Sequence, residues 1–378
     1  MTVRKPLLIG PFSRGINTYD DPTAIHDQEA AEAMNFDPGL DGSLKSRPPF
    51  ANTGTPFPIT GTGKPRLLGY YYDISGNPYL IASDNNSSTW SYSAGVWTLI
   101  TDTMAAADMA QFDGKAWLVS PVGEADPGGY WTPSGVFTAD ADMPKGTSIT
   151  TYKSRLWIAE GLGGTNPTRI RYSKVIGQPD FWDNAGFVDV GSGDGQNVVK
   201  IVTYFDSMLV FRTKSIWSFQ YGIDPAQAIQ SVIVPGVGLQ SKFALVNYEN
   251  YVYFMYDEKA YSFINNRAQQ INIKVPFIAR NFGSTDDPYT VSLFNNRILY
   301  SFYEMIYVYS LRTNTWTTWR SDVYGPIGQL LMPFVDDDTD IAYAIPSGNA
   351  TAPVPLLRIE DKLTGDKELM TCVLTTKN

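Results

Sequence analysis

A single cysteine, Cys372, and a single histidine, His26, are the sparsest features of this 378-residue sequence. One thiol excludes an internal disulfide, and the two residues together cannot form the Cys/His clusters from which structural zinc sites are built. Charge is thin as well: Lys, Arg, Asp and Glu make up 18 % of the chain, against about 25 % in an average soluble domain. So little charge points to an outer surface partly covered by partners. Acidic residues outnumber basic ones, 38 to 29, for a formal net charge of −9. No overall basic field therefore draws in nucleic acid by counterion release, and only passive contact with DNA is expected. No run of about 18 apolar residues occurs, so no membrane-spanning segment is expected. Leu7-Leu8-Ile9, after Arg4 and Lys5, is shorter than the core of a signal peptide,.

Against these scarcities stand 9 Trp, 23 Tyr and 19 Phe, with 32 Gly and 25 Pro. Length alone, at roughly 150 residues per domain, would suggest two or three domains. The mixture of aromatics and turn formers instead reads as many short strands joined by tight turns. One phrase recurs, an apolar and aromatic run, a polar turn, and a second apolar run. It appears as Gly69-Tyr-Tyr-Tyr-Asp-Ile-Ser-Gly-Asn-Pro-Tyr-Leu-Ile-Ala82, Ala110-Gln-Phe-Asp-Gly-Lys-Ala-Trp-Leu-Val119 and Thr150-Thr-Tyr-Lys-Ser-Arg-Leu-Trp-Ile-Ala159. Later copies are Val202–Phe211, Leu245–Phe254, Ser292–Tyr300 and, more loosely, Met332–Tyr343. Each predicts a β-hairpin.

The turn markers Asp73, Asp113, Lys153, Asp206, Glu249, Asn295 and Asp336 are separated by 40, 40, 53, 43, 46 and 41 residues. That period is the length of a four-stranded propeller blade, and blades packed in a ring leave only short, protected edges. The expected fold class is all-β, a β-propeller of about seven blades over residues 61–378. Six or eight blades stay open, because the last copy is degenerate and the long interval contains Gly191-Ser-Gly-Asp-Gly195. Two β-sandwiches in series are the competing architecture, but no linker rich in Pro, Ser and Gly divides the chain.

Residues 1–60 lie outside the period. Asp27-Gln-Glu-Ala-Ala-Glu-Ala-Met34 is the best helical stretch, with Asp27 as its N-cap,. The segment is expected either to clasp the propeller or to dock on a neighbouring subunit. At the other end, Glu368–Thr375 reads as an alternating strand that either leads into further chain or pairs with another subunit,.

The residues offer little catalytic chemistry. Ser/His/Asp and Cys/His mechanisms need an imidazole, and His26 reads as an exposed capping residue beside Asp27. Cys372 reads as a small apolar strand residue. Paired carboxylates would suffice for glycoside hydrolysis, yet Asp113, Asp206 and Asp336 fall in turns, where Asp is favoured for backbone geometry alone. Asp336–Asp340 and Asp189–Asp194 have the oxygen chemistry for calcium without EF-hand spacing. No phosphate loop with its lysine is present, so no catalytic residue, metal or cofactor is expected. Tyr130-Trp-Thr-Pro133 is a candidate platform for stacking on sugar rings.

The N-terminal phrases carry a resemblance. Pro11-Phe-Ser-Arg-Gly-Ile-Asn-Thr-Tyr-Asp-Asp-Pro22, Asp27-Gln-Glu-Ala30, Ala33-Met-Asn35 and Asp41-Gly-Ser-Leu-Lys-Ser-Arg-Pro48 resemble the opening of β-propeller tail proteins of double-stranded DNA bacteriophages, the nozzle, hub and minor tail protein group. Pro49 stands where that group usually has glycine. Gly193–Arg212 and Gly236–Phe254 look similar as well, and the likeness fades beyond about residue 325. The resemblance implies a virion structural protein with no catalytic residues, made in the host cytoplasm and built into the tail or tail tip as one copy of a symmetric ring. Its partners would be copies of itself and other tail proteins. Gly15, Ile16, Asn17, Asn35, Arg47 and Pro48 are the assembly-arm residues it implies. A carbohydrate- or receptor-binding propeller is the alternative function.

Overall fold

The computed structural model describes the chain from residue 12 to residue 375, apart from 40, 42, 59–65, 85–86, 179–180, 184–185, 192, 278–288, 303–304, 321–326, 337–338, 347–353 and 361–371. Seven antiparallel sheets follow one another around a ring, each built from consecutive strands that meander outward. Blade 1 is Arg66–Tyr72, Pro78–Ser83, Thr89–Ser93 and Val96–Thr101. Blade 2 is Asp108–Phe112, Lys115–Val119, Gly129–Trp131 and Thr138–Ala139. Blade 3 is Ser148–Tyr152, Arg155–Ala159, Arg169–Tyr172 and Gly186–Asp189. Blade 4 is Val198–Tyr204, Ser207–Arg212, Ser215–Gln220 and Ile229–Pro235, and blade 5 is Leu245–Tyr248, Tyr251–Tyr256, Lys259–Ile264 and Arg267–Gln270. Blade 6 holds Tyr289–Phe294, Arg297–Phe302, Met305–Ser310 and Thr315–Trp319, and blade 7 holds Ile327–Asp336, Thr339–Pro346 and Leu357–Glu360. The expected propeller is thus a seven-bladed one, and every turn marker falls at the first hairpin of a blade.

The first strands of neighbouring blades contact one another and line the axis. Blade 7 meets blade 1 in the same way, so the ring closes. Apolar clusters fill the spaces between blades. Tyr71, Ile81, Leu118 and Trp131 pack between blades 1 and 2, Trp157, Ile201 and Phe219 between 3 and 4, and Phe294, Leu299 and Leu357 between 6 and 7. Each such side chain contributes about 1.5–3 kcal/mol by leaving water. No single blade could bury both of its faces, which is why the aromatic repeat needs the ring.

The first hairpins of blades 2, 3 and 6 turn on two residues in the left-handed region, Asp113-Gly114, Lys153-Ser154 and Asn295-Asn296, the geometry that matches strand twist. The tyrosine near the end of the first strand then reaches into the turn of the next blade. Tyr71 Oη donates to Gly114 O at 2.6 Å, Tyr152 Oη to Asp206 O at 2.7 Å, Tyr204 Oη to Asn250 O at 3.0 Å and Tyr248 Oη to Asn296 Oδ1 at 3.3 Å. Phe112 and Phe294 hold the corresponding place in blades 2 and 6 and have no hydroxyl to give.

The N-terminal segment corrects two expectations. No helix forms over residues 27–34: Ala30 bridges Ile16, and Glu32–Met34 is a strand. Eight residues nucleate a helix poorly, whereas here their backbone joins the blade 6 sheet and Ala30 and Ala33 are buried. Met34 pairs in parallel with Thr318 of blade 6, and the other edge of this strand pairs antiparallel with Val373–Thr375. The C-terminal strand therefore finds its partner within the chain, on the arm. Phe36–Pro38 and Leu44–Ser46 form a small hairpin, after which Phe50–Asn52 supplies the fourth strand of blade 7 against Leu357–Glu360. The long interval between the third and fourth markers is taken up by the 173–185 connection, which folds Phe181 and Trp182 back against Phe112 and Trp117, and by the loop at 190–197.

Candidate functional site

The six assembly-arm residues come together in two buried knots against this chain's own blades. Gly15 takes φ +72°, and a Cβ there would lie 2.7 Å from Thr315 Cβ and 2.8 Å from Trp316 O. Only glycine permits that approach, which lets Ile16 N donate to Trp316 O at 3.1 Å while Gly15 O accepts from Ala30 N at 3.0 Å,. Asn17 Nδ2 donates to Asp20 Oδ2 (2.8 Å) and Glu29 Oε2 (3.0 Å), and its Oδ1 accepts from the amides of Tyr19 and Asp20. Glu29 is also bound by Lys274 Nζ at 2.5 Å. Burial alone would raise the Glu29 carboxyl, but hydrogen bonds from Lys274, Asn17 and the His26 amide outweigh it and hold the group at about 2,.

The second knot centres on Asn35, which sits at φ +63° with no exposed surface. Its Oδ1 accepts from Arg47 Nε at 2.9 Å and from Arg320 N at 2.8 Å. Arg47, also buried, donates to Pro48 O (2.7 Å) and Arg320 O (2.8 Å), and its guanidinium lies 4.4 Å from the Phe50 ring centroid. Gly15, Ile16 and Pro48 are buried too. These residues fasten the arm to blades 6 and 7, in the manner of the clasp that is one of the two expectations for this segment. A buried guanidinium is tolerable because carbonyl oxygens and a ring face surround it.

Catalytic candidates stay scattered. His26 is exposed, and its Nδ1 accepts from Gln28 N at 3.1 Å, a local cap. Cys372 is exposed rather than packed as an apolar strand residue, and its Sγ donates to Asn35 O at 3.7 Å. Asp113 and Asp206 occupy turns of blades 2 and 4, with Asp206 3.3 Å from Lys153. The two calcium-like stretches differ. Asp189 faces Arg169 through two hydrogen bonds and Asp194 faces Arg212, and these arginines hold both carboxyls below their usual value. The side chains of Asp336–Asp340 lie outside the described residues. Among the described residues no three His, Cys, Asp or Glu side chains converge on a metal-sized site. Trp131 of the sugar-stacking candidate is buried against Tyr71 and Tyr79, and Tyr130 packs on Trp117 beneath Lys115.

Two polar arrangements escaped the sequence reading. On the axis, Lys200 of blade 4 reaches Asp108 of blade 2 at 2.6 Å, and Ile149 N donates to the same carboxylate at 3.1 Å. Lys242 Nζ crosses from the start of blade 5 to Ala107 O at 2.6 Å. Lysines from blade 4 and from the start of blade 5 thus both reach the start of blade 2. Between blades 2 and 3 lies a cleft of about 470 Å³ lined by Lys145, Glu160, Thr165, Arg171 and Trp182. Asp142 also lines it, and the other charges are engaged internally: Glu160 Oε1 accepts from Arg171 Nε at 2.7 Å, and Lys145 caps Glu124 O and Ala125 O. The one available signal was a charge inside an apolar run, Lys200 in Val198-Val-Lys-Ile-Val202.

No protein-family model matches the sequence, and no curated protein matches it. Many solved structures share its fold. The WD40 domain of Neurospora crassa Pan2 superposes with a TM-score of 0.53 at 10 % identity, covering 86 % of this chain and 99 % of that one. The Myceliophteria thermophila Cps50 (Swd1) β-propeller domain gives 0.52 at 9 % identity, covering 82 % and 99 %. The extracellular domain assigned to a hybrid two component system of B. thetaiotaomicron gives 0.52 at 11 % identity, covering 82 % of this chain but only 39 % of that one. At such identities the likeness is one of architecture, and the chain is a seven-bladed β-propeller.

Proposed function

We propose that this propeller is a structural subunit of a bacteriophage tail or tail tip, one copy of a symmetric ring that works by protein contact. The observation that carries the reading is the clasp. Gly15, Asn17, Asn35 and Arg47, residues through which the sequence resembles tail propellers, are the ones with demanding structural work. They lock the arm and close blade 7, giving a stiff wedge of the kind a load-bearing ring needs. The scattered carboxylates and engaged cleft charges support a role without catalysis. Ring closure would come from heterologous contacts that return on themselves, and the net charge of −9 would let genomic DNA pass without adhering. Trp131, one of the aromatics named for the sugar-stacking alternative, packs in the core against Tyr71.

Mass spectrometry of purified virions, with antibody labelling in negative stain, tests the reading. The chain is expected in the particle and at one end of the tail; its absence from virions of the phage that encodes it would overturn the proposal.

A further inference from the structure

The outer strand of each blade presents a row of backbone N–H and C=O groups, a template on which another chain can pair unless something blunts it. Most blades are blunted. Blade 2 ends in the two residues Thr138–Ala139, while the C-terminal and arm segments end blades 6 and 7 in the three-residue strands Val373–Thr375 and Phe50–Asn52. Blade 3 carries Asp189, with Phe187 held under Arg169 at 3.7 Å, and blade 5 carries Arg267. Blades 1 and 4 are the exceptions. Their outer strands, Val96–Thr101 and Ile229–Pro235, run to six and seven residues with no charge, and the strands they pair with, Thr89–Ser93 and Ser215–Gln220, have none either. The nearest charged residues along the chain are Asp102 and Asp224. Apolar side chains stand in water on both: Val96 is 61 % exposed, Leu99 42 %, Ile229 74 % and Val232 48 %. Phe57 packs on the Trp97 ring and Thr55 Oγ1 donates to Gly95 O at 2.9 Å, yet among the described residues no strand pairs with either outer edge.

The two edges also match each other. Each opens with four regular residues, Val96-Trp-Thr-Leu99 and Ile229-Gln-Ser-Val232, apolar at both ends with a hydroxyl in third place, and then bulges at an isoleucine. Ile100 falls between the pairs Trp90–Leu99 and Thr89–Thr101, and Ile233 between Trp217–Val232 and Ile216–Val234. The bulge guards the far end of each strand and leaves the first four residues open. We propose that the outer strand of blade 1 in one copy of this chain pairs with the outer strand of blade 4 in the next, joining two blades into one sheet across the interface. Only an extended backbone satisfies a bare edge, so strand addition is the mode of contact. An antiparallel register sets Val96 against Val232 and Leu99 against Ile229, apolar pairs at both ends. A second copy suits these edges because two chains of net charge −9 repel elsewhere, whereas here no charges are brought together. Blades 1 and 4 stand three places apart in the ring of seven, on opposite flanks, so the contact is heterologous and passes from copy to copy. The inference deepens the tail reading by naming the contact that builds its ring, and rests on it for where that ring sits.

Two full-length variants in a Cys372→Ser background, Leu99→Cys and Ile229→Cys, test the pairing when they are made together in the cells that produce the chain and treated with a permeant bis-maleimide. Cys372 is the sequence's one native thiol, so each variant carries a single reactive site. The co-produced pair is expected to give cross-linked dimers at ten times or more the yield of either variant alone. Adding Ser231→Lys to the Ile229→Cys chain charges the edge at an exposed position and should lower that yield at least ten-fold with unchanged far-UV circular dichroism. Thr98→Lys, also at an exposed position, should do the same on the Leu99→Cys chain, so a folding defect in one variant leaves the other to decide. Absence of dimers, equal dimer yield from Ile229→Cys alone, adducts only to another protein, or indifference to both lysines would overturn the proposal. If the chain is in virions but the pair does not cross-link, the edge contact falls and the tail reading stands. If the pair cross-links but virions lack the chain, the contact stands and the tail reading falls.

Discussion

Asn35→Gly isolates what the second knot contributes to stability. Glycine keeps the φ of +63° without strain,, so the change removes only the side chain. Two donors then lose their acceptor, the Arg47 guanidinium at 2.9 Å and the Arg320 amide at 2.8 Å. Leaving a charged buried donor short of a partner costs about 1.5–3 kcal/mol, and a neutral amide about 1 kcal/mol more. The expected loss is therefore about 2.5–4 kcal/mol for Asn35→Gly, with Asn35→Ala worse by about 1 kcal/mol because alanine resists the left-handed backbone. Asn35→Asp retains an oxygen for both donors and adds an opposite charge, so it should fall within about 1 kcal/mol of the parent. Urea unfolding followed by tryptophan fluorescence measures all three, and hydrogen exchange over residues 44–52 reports whether the clasp opens first. The reasoning is refuted if Asn35→Gly is as stable as the parent, or if Asn35→Asp is destabilised as much as Asn35→Ala.

Three further outcomes follow from the same geometry. Glu29 holds its proton less tightly folded, at about 2, than the ordinary value of 4.5. Its contribution is complete above pH 4.5 and is lost as the pH falls towards 2. This amounts to at most about 3 kcal/mol, reduced by screening at Lys274, which is 56 % exposed,; Lys274→Met should flatten that acid limb in a stability-versus-pH series. Gly15→Ala places a methyl 2.7 Å from Thr315 Cβ at a positive φ and should cost about 2–4 kcal/mol, with protease cutting of the arm before the blades; an unchanged digestion pattern would count against the clasp. Tyr204→Phe removes one interblade hydrogen bond at an exposed carbonyl that water can reach, so a loss of about 1 kcal/mol is expected in thermal or urea unfolding, and a loss above 3 would show that the tyrosines do more than bridge two turns.

Much of the ring was legible because its information is local. A hairpin writes itself into fewer than ten residues, and seven copies at blade spacing required no knowledge of what lay across the ring. The clasp was half legible: the phrases around Gly15 and Asn35 stood out, but whether they served this chain or a neighbour depended on Thr315, Trp316 and Arg320, nearly 300 residues away. Residues 27–34 misled because alanine and glutamate favour a helix in isolation, while the exposed edge of blade 6 offered their backbone a sheet. Of the contacts among Asp108, Lys200 and Lys242, only Lys200 left a local trace, a charge inside an apolar run, while Asp108 and Lys242 are single charges in an ordinary strand and connection.

The strand Phe50–Asn52 leaves the ribosome early, yet its partner Leu357–Glu360 belongs to the last blade. At about 5–20 residues per second, the roughly 300 intervening residues take about 15–60 s to synthesise. Through that interval an apolar segment waits with no edge to join, and the ring cannot shut one blade at a time as the chain emerges. Closure is therefore a late, all-chain event with a long entropic loop to overcome. A truncated product lacking blade 7 would carry an orphan strand and an open blade 6 face, a species primed to pair with other chains, so quality control during synthesis matters more for this molecule than its final stability would suggest.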